Sequence, residues 1–222
     1  YIQTNAPDEF KDTKVLALHV HGRGVFHTAD KQIRSPADLK GMKVRAPSRP
    51  VTSMLASLGA TPVPLPLPAT PDALSKGVIT GLAMPWDVVP SVKVHELTKF
   101  HSEFPATSPA LYTGTFVMAM NRAKYDSLPP DLKQVIDANS GIETSALFGK
   151  ITQDSDAIGL KAAKDRGNTI ITIGAAETQE FIKQSSHVEE AWAADMTKRG
   201  YDGPRLLASA KSLIAKHSKS GA

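Results

Sequence analysis

The alternation of apolar and polar positions divides the first 125 or so residues into short strands and short helices. Residues 14–20, KVLALHV, are mostly apolar and rich in branched side chains, which predicts a buried strand. The run ends in a glycine-rich turn, HGRG. In SPADLKG, residues 35–41, Ser35 suits an N-cap and Pro36 the first helical position. Asp38 completes the capping-box spacing, so a single helical turn is predicted before Gly41. MKVRA, 42–46, reads as a strand. VTSMLASLG, 51–59, reads as a helix with Met54, Leu55 and Leu58 on one face and Gly59 closing it. TPVPL is a strand whose prolines place it at an edge or a terminus. TPDALSKG is a second capped helix, and VITGLAMP is strand-like. Five elements, strand, helix, strand, helix and strand, thus follow one another within about 45 residues, which predicts a parallel α/β sheet with right-handed crossovers.

DVVPSVKVHEL predicts a short helix, TKFHSEF and LYTGTFVMAMN predict strands, and RAKYDSL a small helix. The pattern changes at Pro130. No further proline interrupts the chain before Arg166, and Leu132, Val135, Ile136, Ile142, Ala146, Ala157 and Leu160 recur at helical spacing. A continuous helix there would be about 55 Å long. That exceeds one small lobe, so the pattern predicts two lobes with one helix laid across both. Gly141, Gly149 and Gly159 are the positions where it can kink. A strand, TIITIG, and two helices finish the chain. The first spans 175–200, with Phe181, Ile182, Val188 and Trp192 as its apolar face; the second spans 203–217, with Leu206, Leu207, Ala210 and Ile214.

Composition narrows the function more than the fold. Of 222 residues, 41% are hydrophobic and 22% charged, which is ordinary for a globular chain with a real core. The net charge of +4 is scattered, with no basic stripe interleaved with aromatics, so nucleic acid is not an expected partner. Absence of cysteine excludes disulfides, thiol catalysis and cysteine-ligated metal. No apolar run approaches the roughly 20 residues that span a bilayer. The nucleophile elbow, phosphate loop, zincin helix and dinucleotide fingerprint are all missing, so no cofactor is expected. His19 and His21 share a strand face, and His27, His95 or His101 could join them around a metal. With no cysteine, and no carboxylate at ligand spacing, no metal is expected.

Two side chains follow strand ends. Arg45 closes MKVRA just before a proline-rich turn, where an α/β sheet opens its ligand crevice, and its guanidinium matches a carboxylate bidentately. On spacing alone, a solvated or ion-paired arginine is the commoner outcome. Trp86, in MPWDV, is as readily a core residue as a ligand contact. An enzyme on a two-lobed α/β fold would need a base near Arg45, and only the histidines of HVHG offer one. A ligand-sensing regulator would need a DNA-binding module, and no helix-turn-helix is visible.

Taken in order, SPADLKGMKVRAPS, LGATPVPLP, ALSKGVITGLAMPWDV and MNRAKYDSLPPDLKQVID resemble the solute-binding proteins of tripartite ATP-independent periplasmic (TRAP) transporters. The resemblance runs from KVLALHVHG to the C-terminus. It implies an α/β, type II-like periplasmic binding fold of two lobes joined by crossing strands and a long helix. The lobes would close on a small organic acid, usually a carboxylate. It implies binding without catalysis, delivery to the TRAP membrane subunits, and a periplasmic location after removal of a signal peptide. The family's carboxylate-binding arginine falls on Arg45. Three departures stand out. Thr80 replaces the aspartate of a G-V-x-D-G pattern. Met84 replaces a polar residue before Pro85 and Trp86. Arg23, in HGRGVFHT, is slightly out of register with a second family arginine. The loss of polarity at Met84 favours an aromatic or bulky monocarboxylate over a sugar acid or a dicarboxylate. The expected ligand-binding set is Arg45, Trp86, Met84, Leu67, Tyr112, Thr113, Thr115, His21 and Arg23. Residues 1–23 and 112–150 are expected to form a partial first lobe with the hinge strands and long helix, and 24–111 with 151–222 the second. Only 13 residues precede the 14–20 strand, so an incomplete first lobe, completed upstream of Tyr1 or by a neighbouring chain, is also expected.

Overall fold

The computed structural model describes residues 1–5 and 7–218. The chain divides into two compact units, one of residues 18–116 with 142–185, the other of residues 1–17, 117–141 and those from 186 onward.

In chain order the elements begin with α1 (Ile2–Asn5), β1 (Thr13–Val20), β2 (Val25–Thr28), β3 (Lys43–Ala46), α2 (Arg49–Ser57) and β4 (Thr61–Pro64). They continue with α3 (Thr70–Ser75), β5 (Gly81–Met84), α4 (Val94–Leu97), β6 (Phe100–Glu103), β7 (Thr115–Asn121) and α5 (Arg122–Asp126). The last are α6 (Pro130–Ala138), α7 (Ile142–Asp165), β8 (Thr169–Thr172), α8 (Ala175–Ser185), α9 (His187–Lys198) and α10 (Gly203–Ser218). Strands β1 and β7 pair as a two-stranded sheet.

The unit of residues 18–116 and 142–185 holds a six-stranded sheet in the order β4-β3-β5-β2-β6-β8. The alternation at 42–85 gives three parallel strands as expected, β4, β3 and β5. The sheet as a whole is mixed, because β2 enters antiparallel between β5 and β6. The pattern of apolar and polar positions predicts no strand at VFHT. Its four residues follow the HGRG turn and are buried on both faces, so they show no alternation. The turn at Pro36–Leu39 carries the expected capping box, with Asp38 accepting from the Arg34 and Ser35 N–H groups at 3.0 Å. One sheet face is covered by α3, α4 and α7, where Val25, Leu82, Met84, Trp86, Val89 and Ala163 form an apolar cluster. Against the other lie α2 and α8, with the Phe26, Phe104 and Phe181 rings in mutual contact.

The helix expected from Pro130 to Arg166 is two helices. Gly141, at φ 97°, takes a left-handed conformation that other residues adopt at a cost, and it separates α6 from α7. At 24 residues α7 is about 36 Å long. It packs on the turn at 86–88 through Gly159, where a Cβ would stand 1.9 Å from the Trp86 carbonyl oxygen. In an exposed helix, Gly→Ala stabilises by about 1 kcal/mol. Here the backbone carbonyl cannot swing aside cheaply, so Gly159→Ala is expected to lower stability by about 1–3 kcal/mol, read as a fall in thermal midpoint.

The other unit is built on different contacts. Tyr125 donates to both carboxylate oxygens of Asp137 at 2.8 and 2.7 Å, and Lys14 pairs with the same carboxylate. Helices α9 and α10 pack together, and Tyr1 donates to the Leu206 carbonyl at 3.2 Å. The expectation that residues 151–222 belong with 24–111 therefore differs from this division. The helix expected over 175–200 breaks near Ser186; α8 stays with α2, while α9 and α10 cluster with residues 1–17 and 117–141. Among the described residues no helix is long and apolar enough to cross a membrane.

Candidate functional site

Arg45 is the last residue but one of β3, on the sheet face of its register partners Val63 and Leu82. Three residues on, Ser48 opens α2, so the strand end is forced into a sharp turn. The side chain is only 6% exposed. Its Nε donates to the Leu65 carbonyl at 3.0 Å, which fixes the plane of the guanidinium. Among the described residues no carboxylate forms an ion pair with it. Burial pulls its pKa below the ordinary arginine value, and Tyr112 offsets part of that shift. A groove of about 940 Å³ opens here, with Arg45, Ser48, Thr52, Leu65 and Leu67 among its walls. A buried guanidinium without a carboxylate is costly, and an anion entering this groove would relieve that cost.

Tyr112 stands beside this charge. Its hydroxyl donates to the Ala83 carbonyl at 3.2 Å, and its ring lies over Gly24, where a Cβ would come within 2.4 Å of the ring carbons. Burial raises its pKa, so it is a neutral phenol. His21 meets the Tyr112 ring edge-on at 5.2 Å. Its Nε2 accepts from the Gly114 N–H at 2.9 Å, so Nδ1 carries the proton and donates to the Gly22 carbonyl at 2.6 Å. Thr113 donates to the His21 carbonyl at 3.0 Å, and both Thr113 and Thr115 are exposed. The candidates from two distant segments, 21–24 and 112–115, are therefore brought together.

Three candidates have other surroundings. Met84 is 1% exposed and packs in the core cluster, and Trp86 is 4% exposed. The Trp86 indole N–H donates to Glu103 Oε1 at 2.7 Å. Its ring lies 4.9 Å from those of both His27 and His101. Arg23 is occupied by the backbone: one terminal nitrogen reaches the Pro105 and Pro109 carbonyls at 3.0 Å and Ser108 Oγ at 3.2 Å.

Two features beneath Trp86 escaped the sequence reading. His27 and His101 are register partners on adjacent strands, with their Nδ1 atoms 2.7 Å apart. His27 Nε2 lies 3.1 Å from the Met84 carbonyl and so must carry hydrogen. Asn168 Nδ2 lies 3.0 Å from His101 Nε2 and also reaches the His95 and Thr98 carbonyls at 2.9 Å. One proton arrangement satisfies the chain: Asn168 donates to His101, His101 to His27, and His27 to Met84. Both imidazoles are neutral, and burial drives both pKa values far down. The second feature is Asp156 on α7, which accepts the Asp87 N–H at 2.9 Å. Burial raises its pKa to about 6. No spacing rule finds either set, because residues some 70 positions apart meet only through the sheet register or the α7 contact. Among the described residues no group of three or more metal-binding side chains is gathered for a metal ion.

A family profile described as bacterial extracellular solute-binding protein, family 7 (DctP) matches residues 3–195. The chain belongs to this family. A family 7 chain with the same fold is the TRAP solute binding protein from Rhodoferax ferrireducens T118, solved with copurified benzoate. It is 62% identical with a TM-score of 0.97, and the match covers 100% of this chain and 69% of that one. A marine metagenome TRAP solute binding protein from an unidentified microbe, specific for aromatic acid ligands, was solved with 3-hydroxybenzoate. It is 44% identical at a TM-score of 0.95, over 98% of this chain and 68% of that one. The 2,3-diketo-L-gulonate-binding periplasmic protein YiaO of Escherichia coli (strain K12) is 30% identical over 74% of this chain and 48% of its own length. This chain thus spans about half the length of that curated family relative.

Proposed function

We propose that this chain captures an aromatic monocarboxylate in the periplasm and presents it to the membrane subunits of a TRAP transporter. The observation that carries the reading is Arg45: a buried guanidinium at a strand end, facing a groove, held by one backbone carbonyl and by no carboxylate among the described residues. Arg45 takes the ligand's carboxylate through its terminal nitrogens. Tyr112, Leu67 and the exposed Thr113 and Thr115 border the ligand, with His21 fixing the 113–114 backbone. Met84 and Trp86 back the aromatic ring from the core. The acids bound by the Rhodoferax ferrireducens and marine relatives, benzoate and 3-hydroxybenzoate, support an aromatic ligand here. The ligand is held and released unchanged.

Competition calorimetry tests this reading. Benzoate is expected to bind at least about tenfold more tightly than succinate. Tighter succinate binding, or recovery of chemically altered benzoate, would refute it.

A further inference from the structure

Between Asp38 and Asp72 the sequence has no aspartate or glutamate, yet it has Lys40, Lys43, Arg45 and Arg49. Two of these cations, Arg45 and Arg49, line the groove of about 940 Å³; its other walls are apolar or carry hydroxyls, and none is acidic. The two arginines differ in setting. Arg45 is 6% exposed, with Nε on the Leu65 carbonyl. Arg49 is exposed, and among the described residues it makes no ion pair. Arg122, Arg199 and Arg205, exposed like it, each pair with an aspartate three or four positions away.

Arg49 also stands against the local field. It is the first residue of α2, at the positive end of the helix dipole, where a carboxylate is favourable and a cation is not. No acidic residue lies in the first turn of α2, and the Ser48 side chain makes no capping bond there. A buried guanidinium, an exposed one and a helix N-terminus therefore raise the potential of one groove, and no acidic wall residue offsets them.

We propose that Arg49 is the capture residue of the site: its exposed guanidinium, with the α2 N-terminus behind it, draws the anionic ligand into the groove and sets the association rate, whereas Arg45 holds the bound carboxylate and sets the dissociation rate. A charge at the rim acts mainly on the on-rate and its salt dependence, and a buried, hydrogen-bonded charge on the off-rate. This rests on the reading that Arg45 takes the carboxylate.

The test measures benzoate association and dissociation rates by stopped flow in the wild type, Arg49→Gln, Arg49→Glu, Arg49→Lys and Arg45→Ala. At low salt the on-rate should fall about threefold in Arg49→Gln and about tenfold in Arg49→Glu, with off-rates within about twofold of wild type. Arg49→Lys should keep the wild-type on-rate, because steering needs the charge and not the planar fork. In about 1 M sodium chloride, where the screening length is about 3 Å, the variants at position 49 should converge on the wild type. Equal on-rates in wild type and Arg49→Glu at low salt overturn the proposal. So does an Arg49→Gln variant whose off-rate rises while its on-rate is unchanged, because Arg49 would then be a second anchor. Arg45→Ala should raise the off-rate; if it does not, the carboxylate assignment fails by itself, while the rates at position 49 still show whether that charge steers. A wild type that binds no benzoate refutes both. Circular dichroism of each variant separates a lost rate from a lost fold.

Discussion

Arg45→Ala is expected to weaken benzoate binding by at least about 30-fold, because truncating one partner of a buried, charge-assisted pair costs about 2–5 kcal/mol. The expectation follows from where the guanidinium sits. It is 6% exposed, anchored by Nε to the Leu65 carbonyl, and faced by no carboxylate of its own among the described residues. Removing it takes away the charge that makes the groove attractive to an anion, and leaves the Leu65 carbonyl short of a donor. Arg45→Lys should recover only part of the affinity. A lysine supplies one point charge on a flexible stem, and cannot bond Leu65 and grip both carboxylate oxygens in one plane. Isothermal calorimetry on both variants checks this, with circular dichroism confirming that each remains folded. An Arg45→Lys variant equal to wild type would mean that charge alone, without the planar fork, accounts for binding.

Acidification below about pH 6.5 should destabilise the protein through His27 and His101, which are neutral and fully buried. Their pKa values lie well below the unfolded value, chiefly through burial, with mutual repulsion of charge also opposing protonation of His27. Above pH 6.5 neither folded nor unfolded state binds a proton at these sites, so the pair has no pH-dependent effect. Below it the unfolded chain protonates and the folded chain does not. Stability then falls by about 1.4 kcal/mol per pH unit for each imidazole, until the folded pKa values are approached. Asp156 acts in the opposite sense: its folded pKa of about 6 lies above the unfolded value, so between pH 6 and 4 it favours the folded state as pH falls. Asp87, also raised by burial, adds to this opposing trend. The comparison that isolates the imidazoles is therefore wild type against His27→Leu with His101→Leu, by urea unfolding from pH 7.5 to 4. The double variant should show the shallower loss of stability in acid. Equal slopes in the two proteins would show that the pair is not held neutral by the fold.

How much of this was legible in the sequence depends on the range of the interactions involved. Arg45 could be found because its signal is local: a short apolar strand, a terminal guanidinium and a proline-rich turn lie within nine residues of one another. The Ser35–Asp38 capping box was local in the same way, and the structure carries it. Strand β2 was not found, since VFHT is short, follows glycines and is buried on both faces, leaving no period to read. Helix breaks were only half legible. Gly141 marked a possible kink between α6 and α7, whereas the break at Ser186 has no glycine or proline to announce it. The surroundings of Trp86 were beyond reach. Glu103, His27, His101 and Gly159 converge on it from β6, β2 and α7, and only the register of an antiparallel strand brings His27 against His101.

A crystal structure of the protein grown with benzoate tests the central claim most directly. The account predicts one benzoate in the groove, its two carboxylate oxygens about 2.7–2.9 Å from the Arg45 terminal nitrogens, with Nε still on the Leu65 carbonyl. A benzoate whose carboxylate is bound elsewhere, with Arg45 more than about 4 Å away, would contradict it.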